Sequence, residues 1–275
     1  MRSLLIMMCS CAAVAACGDD GEKSGGATDA ADAATETATA PDTATPETMP
    51  EEIAAPTCEE HEVPCSDQQV STLQLKDDPS GGKIIEVSAT AGVFVHEVDA
   101  TAGGFNGTKG YTYARFTEAG LEAVDISDED ALESTAWDLA FRRFVIRLNS
   151  GVSGPACVTA ATLPRGTEFD AIKDVADGLD FEDETYFDAD ANCKYRDDGS
   201  GIGSPDTIMS SFWNYTSCVQ MTGRIFILAL GDGRSVKVQI LSYYEPDIQA
   251  QCDEDGSAPT PNGSGTVRIQ WAFLP

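Results

Sequence analysis

Two histidines, an Asp-x-Asp-x-Asn stretch, a glycine-rich run and nine cysteines are the residues of this 275-residue chain that could do chemistry. His61 and His96 are the only imidazoles, His96 sitting within an alternating apolar pattern. The chain has no Gly-x-Ser-x-Gly elbow, His-Glu-x-x-His or phosphate-binding loop, so no nucleophile, base or metal triad can be read from it. Gly199-Ser-Gly-Ile-Gly203 lacks a preceding apolar strand and a following helix, and reads as a flexible loop rather than a dinucleotide site. Asp188-Ala-Asp190-Ala-Asn192 begins like a calcium loop with alternating oxygen ligands. The sharp-turn glycine position is Cys193, however, and the closing glutamate position is Gly199. Asp188, Asp190, Asn192 and Asp197 remain as calcium candidates, and the chain reads as a binding protein, not an enzyme.

The cysteines separate into two groups. Val14-Ala-Ala-Cys17 follows Arg2 and a short apolar run from Leu4, the pattern of a lipoprotein signal covering residues 1–16, with Cys17 as the lipidated residue. The apolar run falls short of the ~20 residues a membrane span needs. Several acyl chains on Cys17 would hold the protein firmly to a bilayer. Gly18, where an aspartate would favour inner-membrane retention, points to the outer membrane and the cell surface. Cys58, Cys65, Cys157, Cys193, Cys218 and Cys252 form an even set in an exported chain, which favours disulfides. The local pair Cys58–Cys65 is expected, with the other four open between three pairings. The absence of a Cys-x-x-Cys pair argues against a zinc site.

The elements that must position these groups begin after a linker. Residues 17–57 are Ala, Thr, Asp, Glu and Pro, too poor in apolar surface to offset their ordering entropy, and read as a disordered tether. A flexible coil of ~40 residues reaches ~35 Å. Residues 58–275 are long enough for one domain. The net charge of −29 excludes nucleic acid and anionic head groups as natural partners. Alternation over 85–89, 94–98, 111–116, 236–240 and 267–273 predicts strands, and Gly231-Asp-Gly233 a hairpin turn. A short helix is expected at Pro205–Phe212, and a long irregular segment from Asp174 to about Ser210. The expected class is all-β, with long loops and short helices at most.

Trp137-Asp-Leu-Ala-Phe-Arg-Arg-Phe-Val-Ile-Arg-Leu-Asn-Ser-Gly151 carries the strongest pattern. Trp137, Leu139 and Phe141 share one strand phase and Phe144, Ile146 and Leu148 the other. A β-bulge at Arg142-Arg143 would return both sets to one core. This segment resembles the Trp-Asp-Leu-Ala-Phe-x-Arg signature of the HmuY family, haem-binding surface lipoproteins. Gly223–Tyr244 and the final strand Gly265–Phe273 resemble that family's C-terminal strands. The resemblance implies an HmuY-like single domain, haem or a related tetrapyrrole as ligand, and an outer-membrane receptor as partner. It also implies axial ligands from histidine pairs or methionines. No histidine follows His96, so the ligand candidates are Met209, Met221 and Tyr195. Phe212 and Trp213 are the candidate porphyrin walls and Arg142 a candidate propionate partner. His96 is expected to be a partly exposed strand residue, and the arginines otherwise to pair with carboxylates.

Overall fold

A computed structural model describes residues 60–104 and 107–275. In chain order the strands are β1 Ile84–Thr90, β2 Val93–Asp99, β3 Thr112–Thr117, β4 Gly120–Val124, β5 Leu139–Arg142, β6 Val145–Leu148 and β7 Thr159–Thr162. They continue with β8 Phe187–Asp188, β9 Lys194–Tyr195, β10 Trp213–Tyr215, β11 Val219–Met221, β12 Ile225–Ala229, β13 Ser235–Ser242 and β14 Thr266–Leu274. Two helices, α1 Ser66–Leu73 and α2 Pro246–Asp255, accompany them. A six-stranded sheet runs β1-β2-β14-β13-β12-β7 and a four-stranded sheet β4-β3-β5-β6; β8–β9 and β10–β11 are separate ribbons. The fold is therefore β-rich with two short helices.

The alternating patterns explain the layers. Val236, Val238, Val267, Ile269 and Trp271 of the large sheet pack with Phe116, Leu139, Phe141, Ile146 and Leu148 of the smaller one in one core. Burying each such side chain is worth about 1.5–3 kcal/mol. The outer face of the large sheet is covered as well. Ile225, Ile227, Ala272 and Leu274 pack under Phe169, Ile172, Val175, Leu179 and Phe181. Lys237, on that outer face, is buried too, and donates its Nζ to the carbonyls of Phe169 and Ile172. The outer face of the smaller sheet, with Tyr111, Tyr113 and Ala140, is covered by Leu73 of α1 and by Tyr186 and Phe187.

The bulge expected at Arg142-Arg143 is a reversal instead. β5 and β6 pair antiparallel with Leu139 opposite Leu148 and Arg142 opposite Val145, joined by the two-residue turn Arg143-Phe144. Arg143 takes φ 56° there. Opposed residues of a hairpin point to the same face, so Leu139, Phe141, Ile146 and Leu148 reach one core through a turn rather than a bend, whereas Trp137 packs on the other side of the smaller sheet with Tyr113 and Ala140.

The helices depart from expectation in a readable way. Pro205–Phe212 yields only a 3-10 turn, Ile208–Phe212. The unexpected α2 starts with Pro246 in its first turn and ends on Gly256 at φ 75°, whose N–H returns to the Cys252 carbonyl. That is the proline-start, glycine-stop pattern. It lacks a strong apolar stripe, burying only Gln249 and Cys252, and so escapes a periodicity search.

The local Cys58–Cys65 pairing is overturned: Cys65 bonds Cys193, 128 residues away, and Cys218 bonds Cys252. Cys157 is also disulfide-bonded, and Cys58 lies outside the described residues. Cys65 stands at the start of α1, which lies over the smaller sheet, and Cys193 directly precedes β9. Packing of the two elements, not chain proximity, chooses the pair. The segment Asp174–Ser210 is correspondingly less irregular than expected. It carries β8, β9, the disulfide and a pair of backbone bonds joining Ala160 and Glu182. Residues 1–57, with the signal, Cys17 and the linker, lie outside the described residues.

Candidate functional site: an arginine-lined groove at the β5–β6 turn

The signature segment anchors the hairpin whose tip carries the site. Trp137 is fully buried and donates Nε1–H to the Ala131 carbonyl at 3.0 Å. The Asp138 carboxylate accepts the Phe116 N–H at 2.8 Å, tying β3 to the start of β5; burial raises its pKa to about 6. Arg147 is fully buried, with its guanidinium 4.2 Å from the Tyr111 ring centre and Nη2 donating to Tyr113 Oη. Tyr113 Oη in turn donates to Asp128 Oδ1, which also accepts the Tyr111 N–H. Among the described residues no carboxylate lies within ion-pair distance of Arg147 or Arg142, contrary to the expected pairing. The Tyr111 ring and the Tyr113 hydroxyl face Arg147 instead, while its Nε and Nη1 are buried with no hydrogen-bond partner.

At the tip of the hairpin, Tyr111 and the turn residues line a groove of about 210 Å³. Tyr111, Arg142, Arg143 and Phe144 form one side, and Tyr195, Ile202 and the loop to Pro205 the other. Arg142 is held by the carbonyls of Leu73 at 2.8 Å and Gly107 at 3.2 Å, neither of which neutralises its charge. Tyr195 donates Oη–H to the Gly203 carbonyl at 2.9 Å, and burial pushes its pKa above the ordinary tyrosine value. The groove is lined by no aspartate or glutamate, although acidic residues number 46 in the chain.

The expected ligand candidates do not converge. Tyr195 and Arg142 share this groove, whereas Met209 and Phe212 are buried in the main core. Met221 is half-buried on β11, with its N–H on Asp253 Oδ1. Trp213 packs 4.9 Å from Phe144 and lines a different groove with Tyr215. His96 is buried, not partly exposed, because β14 and the β3–β4 turn close over it. Its Nδ1 faces the Trp271 indole N–H at 3.1 Å and its Nε2 the Leu121 N–H at 3.2 Å. A neutral imidazole offers one acceptor nitrogen, so only one of these donors can be satisfied. Burial accordingly lowers the His96 pKa.

The calcium candidates are spent locally. Asp188 Oδ1 accepts the Ala191 N–H, Asp197 Oδ1 accepts the Gly199 N–H, and Asn192 turns the chain at φ 55°. Asp190 is exposed. Among the described residues no three His, Cys, Asp or Glu side chains are placed to hold a metal ion.

Sequence reading missed Tyr111, Phe144 and Ile202 as groove residues. Their only signal was the phase slip at Arg142-Arg143, which reads as a turn once the two strands are seen to oppose each other.

Two facing antiparallel sheets, with a cationic, aromatic groove at one hairpin tip, define a β-rich fold. The HmuY family profile, described as HmuY protein, matches residues 107–253, more than half of the chain, and the chain belongs to that family. No curated protein matches it. Among solved structures, it is similar to a Bacteroides vulgatus protein described as HmuY-like and heme binding. That likeness has 16% identity over 69% of this chain and 96% of that one, at TM-score 0.42. A Bacteroides fragilis protein described as a lipoprotein gives 14% identity over 68% and 92%, at TM-score 0.42. The apo HmuY analog of Tannerella forsythia gives 13% identity over 72% and 100%, at TM-score 0.34.

Proposed function

We propose that this chain is a non-catalytic surface lipoprotein that captures haem or a related tetrapyrrole for iron acquisition, and that the ligand enters at the β5–β6 groove. The observation that carries this reading is a carboxylate-free groove with two arginines in a chain of net charge −29. Haem is a flat apolar disc with two carboxylates at one edge. Tyr111, Phe144 and Ile202 suit its faces, Arg142 and Arg143 its propionates, and the Tyr195 phenol is an oxygen ligand competent for iron. Membership of the HmuY family supports the same reading. The groove is smaller than the roughly 300–1,000 Å³ of typical ligand pockets. Admission of a porphyrin therefore requires the loop after Tyr195 to swing outward. Gly199, Gly201 and Gly203, all at positive φ with open space around them, give that loop its freedom.

The small volume also favours a second reading, in which the fold has lost haem and the same surface contacts a protein partner. Titrating the whole chain with haemin separates the two. Haem capture predicts a shifted Soret band at micromolar protein. Arg142→Glu is expected to weaken binding at least about tenfold, equivalent to ~1.4 kcal/mol. Absence of any Soret shift supports the protein-contact reading.

The lipid anchor and outer-membrane address belong to the proposal. Cys17, preceded by Val14-Ala-Ala and followed by Gly18, motivates them. Cys17→Ala is expected to abolish incorporation of labelled fatty acid and release the protein from membranes, and retention of both would remove the anchor.

A further inference from the structure

On the other side of the Asp197–Pro205 loop lies a second, larger groove of about 420 Å³, and its chemistry differs from the first. Asp198 and Ser200 of the loop, Ser210 and Ser211 of the 3-10 turn, and Trp213, Asn214 and Tyr215 of β10 border it. It has no lysine or arginine and no aliphatic side chain. Tyr215 is 51% exposed, the only large aromatic so exposed among the described residues. Ser211 Oγ is itself buried and has no hydrogen-bond partner. Asp198 accepts only the Ser200 N–H among the described bonds, through Oδ1. The Asn214 carboxamide is exposed on β10, opposite Gln220.

We propose that this groove is a binding site for a neutral saccharide. A pyranose presents an apolar C–H face and a rim of hydroxyls that each donate and accept. An exposed, rigid Tyr215 ring offers a stacking surface for the first, and its two side-chain torsions make the ordering cost small. A carboxylate acceptor, a carboxamide with both roles and the hydroxyls of Ser200 and Ser210 offer partners for the second. The volume falls within the roughly 300–1,000 Å³ of small-molecule sites and suits one or two sugar units. Asp198, the absence of cations in the groove and the net charge of −29 repel anionic ligands, so acidic sugars and haem propionates are disfavoured there.

The test uses the whole chain and a panel of neutral tetrasaccharides built from glucose, mannose, xylose and N-acetylglucosamine, followed by calorimetry and tryptophan fluorescence. At least one is expected to bind with Kd between about 10 μM and 1 mM. Tyr215→Ala and Asn214→Ala, both at exposed positions, are expected each to weaken that binding at least tenfold while haemin titration stays unchanged. Failure of the whole panel to bind at about 10 mM would overturn the proposal. So would binding indifferent to both substitutions, or equal binding of sulfated counterparts. The haemin titration reports on the other groove, so the two proposals stand or fall separately.

Discussion

Replacing Glu184 with glutamine is expected to flatten the dependence of stability on pH between about 4.5 and 8. Glu184 is fully buried, its Oε1 accepting the Leu148 N–H at 3.0 Å and its Oε2 the Ile208 N–H at 3.2 Å. It thereby fastens the long 174–210 segment to β6. Burial raises its pKa from 4.5 to about 8, against the two N–H bonds and the charge of Arg147. The folded state thus holds a proton that the unfolded state has released. Its contribution is complete below pH 4.5 and is lost as pH rises through 8, on the order of 5 kcal/mol in all. Asp138, raised to about 6, acts with the same sign over a narrower window. His96, lowered by burial, acts with the opposite sign, its contribution present above pH 6.5 and lost as pH falls. Glutamine cannot accept both N–H bonds, which costs about 1–3 kcal/mol at low pH. The wild-type advantage seen by urea unfolding at pH 5 should therefore shrink or reverse at pH 8.5. Parallel curves for the two proteins would show that Glu184 does not carry this proton.

Trp137→Ala is expected to cost about 3–5 kcal/mol, the range for deleting a buried tryptophan. The indole is fully buried, meets Tyr113 edge-on at 5.0 Å, and is bonded to Ala131. Gly154 approaches it so closely that a Cβ there would lie 2.8 Å from Trp137 Cζ2, so the ring is enclosed with no slack. For a domain of this size the loss corresponds to a melting temperature lower by roughly 10 °C. Trp137→Phe should recover part of the loss while losing the indole bond to the Ala131 carbonyl. A change below about 1 kcal/mol for the alanine variant, measured by denaturant unfolding, would mean that the signature tryptophan does not hold the fold.

These two residues show how far the chain can be read without coordinates. Trp137, Leu139, Phe141, Ile146 and Leu148 announced their burial through strand period, as did Val236, Val238 and Ile240. The period says which residues share a face, but it does not distinguish a bulge from a reversal. Arg142-Arg143 was therefore read as the wrong kind of irregularity. Glu184, one carboxylate in a crowded acidic segment, carries no local mark of burial, since its partners Leu148 and Ile208 lie 36 and 24 residues away. Cys65 and Cys193 fail for the same reason: long-range packing selects the pair. Arg147 was expected to seek a carboxylate, yet it sits against Tyr111 and Tyr113, a choice set by sheet geometry. The Tyr195 and Arg142 candidates do share a groove, whereas Met209 and Trp213 lie elsewhere, because both pack into the main core.

The most direct measurement is a haemin titration of the whole chain beside its Tyr195→Phe and Met209→Leu variants, followed through the Soret region in oxidised and reduced states. Ligation at the arginine-lined groove predicts saturable binding at micromolar protein. It also predicts a spectrum altered and an affinity lowered at least about tenfold by Tyr195→Phe, with Met209→Leu unchanged. No Soret shift in the wild type, or a shift that Tyr195→Phe leaves intact and Met209→Leu removes, would contradict it.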